Sequence, residues 1–446
     1  MTNDVSRSIK RLLAALGLGL GLFALLWSLL GRAAPNRAWG PPDEVAAPTA
    51  PFETVLLPDV RVEALMTQIN TGTVVAYERA LTGEDAVIVG GKLYSITTRY
   101  SYSGEPISQA TRYAYEHFQN LGLDVTFHEY TWSGEHWRNV VAERRGLGRS
   151  DEVYLITAHL DDLPPGPVAP GADDNASGST AVLVAADRLS QLDFDCTLRF
   201  VLFTGEEQGL RGSAAYAAAI AAAGDEVRGV LNLDMIGYDA DTDPIVDLHA
   251  RGAIPGSVAV AQTFSQVVAA YDLNLTPDIL VDDWLGNYSD NKSFWDQGYP
   301  AILAIEDWDD FTPYYHSVSD TLDTLDLDYL TEYVRAAAGT FAHMGCLSPG
   351  LLTGTVTALD TGAPLLATVT ATASVYAYTT TTGADGYYSL ALPIYTVTVR
   401  AQPNLAGYQP AVVTNVVILT STTTVQHFAL QPWPCRFFIP TVLKQP

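Results

Sequence analysis

From residue 151 to residue 344 the chain alternates short apolar runs with longer mixed ones. The apolar runs 153–158, 198–203, 230–233, 245–248 and 301–305 read as strands, and helices are expected at 176–192, 213–222, 257–271, 289–297 and 326–344. A strand that is apolar at nearly every position must be covered on both faces, which is the pattern of parallel strands joined by crossover helices. The spacing therefore predicts an α/β domain with a mostly parallel or mixed sheet flanked by helices. In such sheets ligands bind outside the carboxyl ends of the strands. Whatever chemistry the chain performs is expected where these runs end.

Acids and imidazoles stand at those ends. His159 and Asp161 follow the first strand, and Asp173 and Asp174 sit at the mouth of the next helix. Glu206 and Glu207 follow the run 198–203, Asp234 ends the run 230–233, and His316 lies in the loop after 301–305. Taken singly, each has an ordinary explanation: an Asp before a helix caps it, two adjacent Glu are a solvated pair, a lone His is a hydrogen-bonded structural residue. Five such residues on successive strand ends, His159, Asp174, Glu207, Asp234 and His316, make a metal site the better reading. Two hard-to-borderline cations would each take one imidazole and oxygen ligands, with Asp174 shared through its two oxygens. A water between them would lose a proton near neutral pH. Glu206 would accept that proton and pass it to a leaving amine, and Asp161 would take the second ring N–H of His159. His117, His128, His136, His249, His343 and His427 have no comparable neighbours in sequence and read as ordinary surface or core residues.

The segments His159-Leu-Asp161, Gly171-Ala-Asp-Asp-Asn-Ala-Ser-Gly178, Thr204-Gly-Glu-Glu-Gln-Gly-Leu-Arg-Gly-Ser213, Asn232-Leu-Asp-Met235 and Tyr315-His-Ser317 resemble, in this order, the secreted zinc aminopeptidases of metallopeptidase family 28. The resemblance covers residues 53–347. It implies a fold of the zinc-exopeptidase type and a co-catalytic pair of Zn2+ ions. His159, Asp174, Glu207, Asp234 and His316 would be the ligands, with Asp174 as bridge, Glu206 as general base and Asp161 as the partner of His159. It further implies a cis peptide between Asp174 and Asn175. One departure is at Asn291, where the family often has His, so Asn291 is not counted as a ligand. The activity expected from the resemblance is hydrolysis of N-terminal, apolar residues from peptides with a free amine. A carboxypeptidase or dipeptidase on the same scaffold would need a basic residue for the substrate carboxylate, and Arg211 and Lys292 are the candidates. A binding protein of the same fold without catalysis is a third reading, which the complete ligand set speaks against.

The flanking regions frame this domain, taken as 59–348. Arg7, Lys10 and Arg11 precede an uncharged apolar segment, 12–30, inside a region 1–32 that reads as a signal peptide or a signal anchor. Either predicts export, with the catalytic domain outside the cytoplasm. Residues 33–58 are a Pro- and Ala-rich linker. Beyond Pro349, Thr and Val dominate and about seven short strands are expected within 351–431, a small all-β sandwich resembling the carboxypeptidase-regulatory or prealbumin-like modules of exported hydrolases. Surface contact with a cell and a plain stabilising role are both open for it. Residues 432–446 form an apolar tail, read as a last strand or a sorting segment. The net charge of −26 leaves no basic stripe for phosphates, which excludes nucleic acid as a partner. Three cysteines without CxxC spacing exclude a thiolate metal site; Cys196 and Cys346 would either pair in an exported protein or remain two buried thiols.

Overall fold

A computed structural model of the chain describes residue 56 and residues 58–373, 376–392, 396–418 and 423–434. The apolar segment 12–30 and nearly all of the linker lie outside the described residues. Among the described residues no helix is long and apolar enough to cross a membrane.

The domain opens with two helices, Val60–Thr67 and Thr71–Leu81, and not one continuous helix. Asn70 is the cause. It sits in extended backbone between them and its side chain accepts the N–H of Thr73, which starts a new helix. A hairpin of β1 (Val87–Val89) and β2 (Lys92–Tyr94) follows. Residues 95–98 do not continue β2. Those residues turn inward instead, where Thr98 and the backbone of Arg99 bond to the buried carboxylate of Asp162.

Helix Glu105–Asn120 leads into the main sheet. Its strands are β3 (Asp124–Trp132), β4 (Glu135–Arg144), β5 (Arg149–His159), β6 (Cys196–Phe203), β7 (Glu226–Leu233), β8 (Ile245–Ala250), β9 (Thr276–Val281) and β10 (Ala301–Glu306), in the order β3-β4-β6-β5-β7-β10-β8-β9. The centre, β6-β5-β7-β10, is parallel. β3, β4 and β8 pair antiparallel with their neighbours toward the centre, so the sheet is mixed. Register aligns the carboxyl ends: His159 lies opposite Phe203, Thr157 opposite Asn232, and Leu233 opposite Ala304. All site-bearing loops thereby leave the sheet on one side. β9 was not expected from the sequence; it contains Pro277 and forms the sheet's edge, where a missing backbone N–H is tolerated.

Alternate residues of β5 serve opposite faces, as strand geometry requires. Ile156 packs with Leu183, Phe200 and Phe341 under helices Gly178–Leu189 and Leu327–Met344. Leu155 packs with Val201, Phe203, Tyr216 and Phe294 under helices Arg211–Ala223 and Asn291–Trp295. Cys196, opening β6, is disulfide-bonded to Cys346 just past the last helix, with the Cα atoms 5.4 Å apart. The two cysteines are therefore a pair and not free thiols.

The C-terminal strands are β11 (Gly350–Ala358), β12 (Ala367–Ala373), β13 (Tyr376–Thr381), β14 (Tyr387–Leu392), β15 (Thr396–Pro403), β16 (Ala411–Val417), β17 (Thr423–Val425) and β18 (Phe428–Leu430). β14, β11, β17 and β18 form one sheet and β13-β12-β15-β16 another. Val356, Tyr388 and Phe428 from the first share a core with Val369, Ala371 and Val399 from the second. β17 and β18 are separated by Gln426 and His427. Of the expected tail, Pro432 bridges to Tyr408 and Trp433 is exposed, while residues 435–446 lie outside the described set.

Candidate functional site

The five residues singled out in the sequence meet at the carboxyl edge of the parallel strands. His159, Asp174 and Asp234 form one triad, and Asp174, Glu207 and His316 another; within each, one ligand atom per residue lies within 4.8 Å of the others. His159 Nε2 is 3.1 Å from Asp234 Oδ1 and 3.3 Å from Asp174 Oδ1. His316 Nε2 is 3.3 Å from Asp174 Oδ2 and 2.9 Å from Glu207 Oε2. Asp174 thus offers one oxygen to each side. Glu206 stands beside His159 and Glu207. The peptide Asp174–Asn175 is cis.

Asp161 differs in detail from expectation. The ring N–H at Nδ1 of His159 faces the backbone oxygen of Asp161 at 3.0 Å, while the Asp161 carboxylate is 3.9 Å away. That carboxylate instead accepts from Ser101 Oγ at 2.8 Å and from the N–H of Glu206 at 3.3 Å. It ties the Glu206 backbone, rather than the imidazole, to the loop after β5.

Charge explains what such a cluster needs. Asp174, Glu206, Glu207 and Asp234 carry more negative charge than two imidazoles offset, in a place nearly without water. Burial pushes the Glu207 carboxyl up to about 8, with the Asp174 charge adding to it, and pushes Glu206 well above its usual range. Burial opposes charge on His316, but Asp174 and Glu207 outweigh it and raise the imidazole to about 10. Glu207 Oε1 is buried without a hydrogen-bond partner, and Asp174 Oδ2 and His316 Nε2 face each other at 3.3 Å without a well-aligned hydrogen bond. A divalent cation in each triad would satisfy these atoms and offset the charge, and the mixed imidazole and carboxylate donors suit Zn2+. The residues present fit the group.

The turn that carries Asp174 is held from several directions. Gly171, at φ 49°, lets the chain pass where a Cβ would lie 2.5 Å from the Asp174 oxygen. Asp320 accepts the N–H of Asp173 at 2.9 Å and of Asp174 at 3.0 Å through separate oxygens. Arg99, fully buried, donates to the backbone oxygens of Leu81, Leu160, Pro170 and Gly171 and lies 3.6 Å from Asp162. Asp234 is oriented by a run of donors: Thr157 Oγ1 to Asn232 Oδ1 (2.7 Å), Asn232 Nδ2 to Ser289 Oγ (2.9 Å), and Ser289 Oγ to Asp234 Oδ2 (2.5 Å). Neither Asp320 nor this run was singled out from sequence. Hydroxyl and amide residues are common everywhere, and only the position of Asn232 two residues before Asp234 hinted at a role.

A cavity of about 530 Å³ opens beside the triads, lined by their side chains, by Met235, Leu303 and Ile305, and by aromatic residues. Among the described residues, no Arg or Lys lines it. Arg211 stacks over Trp132 at 3.7 Å and bonds to the Gln208 oxygen, and Lys292 pairs with Asp296. The basic residue a substrate carboxylate would require is therefore not found on these walls. Asn291 donates to the Gly286 oxygen and stays out of the cluster. His249, read from sequence as ordinary, does line the cavity.

A mixed sheet whose strand ends carry two triads joined by one carboxylate defines a domain of the zinc-exopeptidase fold. The model of peptidase family M28 matches residues 139–341. Relatives include a probable leucine aminopeptidase 1 of Trichophyton verrucosum, 32% identical over 215 residues (43% of this chain, 54% of that protein), and leucine aminopeptidase 1 of Trichophyton rubrum, 31% identical over 215 residues with the same coverage. The chain spans about half the length of the curated relatives it matches. Among solved structures, the LapA aminopeptidase of Legionella pneumophila shares the fold with a TM-score of 0.55 at 18% identity, over 67% of this chain and 78% of that one.

Proposed function

We propose that the chain is an exported, zinc-dependent aminopeptidase that releases N-terminal residues from peptides. One observation carries the reading: Asp174 belongs to both triads, beside an apolar cavity that has acids but no Arg or Lys. His159 and Asp234 would hold one ion, Glu207 and His316 the other, with Asp174 between them. Zn2+ held there would supply Lewis acidity, polarising a scissile carbonyl and lowering the pKa of a nearby water toward neutrality. Glu206 takes the proton from the attacking water and returns it to the leaving amine. Burial and the charges of Asp234, Asp290 and Glu207 make its carboxylate a stronger base than one in water. The acidic rim receives the free ammonium or amine of the substrate, and the apolar floor receives its first side chain. The leucine aminopeptidases among the relatives support this substrate class. Export is supported by the basic and apolar N-terminal segment and by the Cys196–Cys346 disulfide, a bond that persists in oxidising compartments.

The test is turnover of amino-acid amides and their N-acetylated forms, with and without a chelator, alongside a zinc count. Hydrolysis of free-amine substrates alone, lost on chelation, is expected. Equal turnover of acetylated substrates, or full activity without metal, contradicts the proposal.

A further inference from the structure

Five aromatic side chains line the cavity in an unbroken series that ends on a candidate ligand. Tyr288 meets Trp284 edge-on at 5.6 Å between centroids, and Trp284 meets Trp308 at 6.5 Å. Trp308 lies 4.9 Å from Phe311, and Phe311 5.2 Å from Tyr315. Tyr315 stacks on the His316 ring at 3.6 Å with an interplanar angle of 22°. The series joins two stretches of chain: the loop after β9 and the loop after β10, which also carries His316. Each ring is held by its neighbours, so the wall is built before any substrate arrives. Trp284 and Tyr288 nevertheless remain 45% and 68% exposed, and Tyr315 41%.

We propose that this belt makes the site selective for peptides whose N-terminal residue is a large aromatic one. The inference rests on the aminopeptidase reading and specifies its substrate. An aliphatic side chain entering the cavity would touch Met235, Leu303 and Ile305, and gain only burial. An aromatic ring reaches the belt as well, and edge-to-face contacts between rings add to the burial because the electron-poor edge of one meets the electron-rich face of the other. A ring also covers part of the exposed surface of Trp284 and Tyr288, which a leucine-sized group is too short to remove from water. Among the described residues, no Arg or Lys lines the cavity to draw an acidic side chain.

The experiment compares kcat/KM of the zinc-loaded full chain on the 4-nitroanilides of Phe, Tyr, Leu and Ala, with the Phe-to-Leu ratio as readout, in the native protein and in Trp308→Leu and Trp284→Ala. Binding of L-phenylalaninol and L-leucinol, which needs no turnover, is measured on the same proteins. The native ratio is expected to favour Phe by about three- to tenfold, the gain of one favourable ring pair, and to fall toward unity in both variants. Phenylalaninol is expected to bind more tightly than leucinol by a similar factor. A Phe-to-Leu ratio at or below one, a ratio unchanged in both variants, or equal binding of the two amino alcohols overturns the inference. Failure to hydrolyse any of the four substrates would count against the aminopeptidase reading instead, and the amino-alcohol comparison would still decide the belt.

Discussion

Replacing Asp320 by Asn tests how the Asp174 turn is held. The carboxylate of Asp320 takes two backbone N–H groups, those of Asp173 and Asp174, one on each oxygen. An asparagine keeps one acceptor and presents its NH2 group to the other N–H. The variant therefore loses one charge-assisted bond, about 1.5–3 kcal/mol, and buries an opposed pair of donors. Other contacts hold the same turn: Arg99 on the Gly171 oxygen, Ser177 Oγ on the Asp173 oxygen, and Asn175 Nδ2 on the Leu233 oxygen. Because those remain, the fold is expected to survive and the loss to fall on the placement of Asp174. Removing an outer partner of a ligand typically weakens metal binding roughly 10- to 100-fold. Chelator competition should show zinc affinity lowered by that factor, with far-ultraviolet circular dichroism unchanged. Zinc affinity within twofold of the native protein would refute the reasoning.

Four further outcomes are expected. Glu206→Gln should lower kcat by about 10²–10⁴, the usual contribution of a general base, while the zinc content stays the same; retained turnover would remove its role. Stripping zinc should lower the melting temperature, since ions that bind only the folded state stabilise it, and an unchanged melting temperature would speak against the cluster as a binding site. Glu78 is fully buried with neither oxygen partnered, and burial pushes its carboxyl up to about 8 from an ordinary 4.5. The folded chain then holds a proton that the unfolded chain releases, so this contribution is intact below pH 4.5 and is lost as pH rises toward 8; Glu78→Gln should raise the melting temperature more at pH 8 than at pH 5. Replacing both Cys196 and Cys346 by Ser opens a loop of 150 residues, and a loss of roughly 2–5 kcal/mol should appear as a lower urea midpoint.

The sequence shows the sheet because its central strands are buried on both faces, and hydrophobic runs such as 153–158 and 198–203 have few other uses. The candidate ligands are legible for a related reason: acids and imidazoles directly after such runs are conspicuous. Elements whose signal is local and weak were less visible. The break at Asn70 turns on one side-chain bond, and β9 carries a proline that argues against a strand until its edge position is known. The expected contact between the Asp161 carboxylate and the His159 ring does not form, since which Asp161 oxygen faces the ring depends on backbone geometry that spacing does not encode. Asp320 and Ser289 act across 146 and 55 residues of chain, and nothing in their neighbours announces those partners. The aromatic belt is invisible for the same reason, since its rings come from two loops brought together only by the order of the strands.

The most direct measurement is anomalous diffraction at the zinc edge from crystals of the metal-loaded protein. Two peaks are expected on either side of the Asp174 carboxylate, one bounded by His159 and Asp234 and the other by Glu207 and His316. No peak at Asp174, or zinc only at the surface acids Asp239, Asp241 and Asp310, would contradict the account.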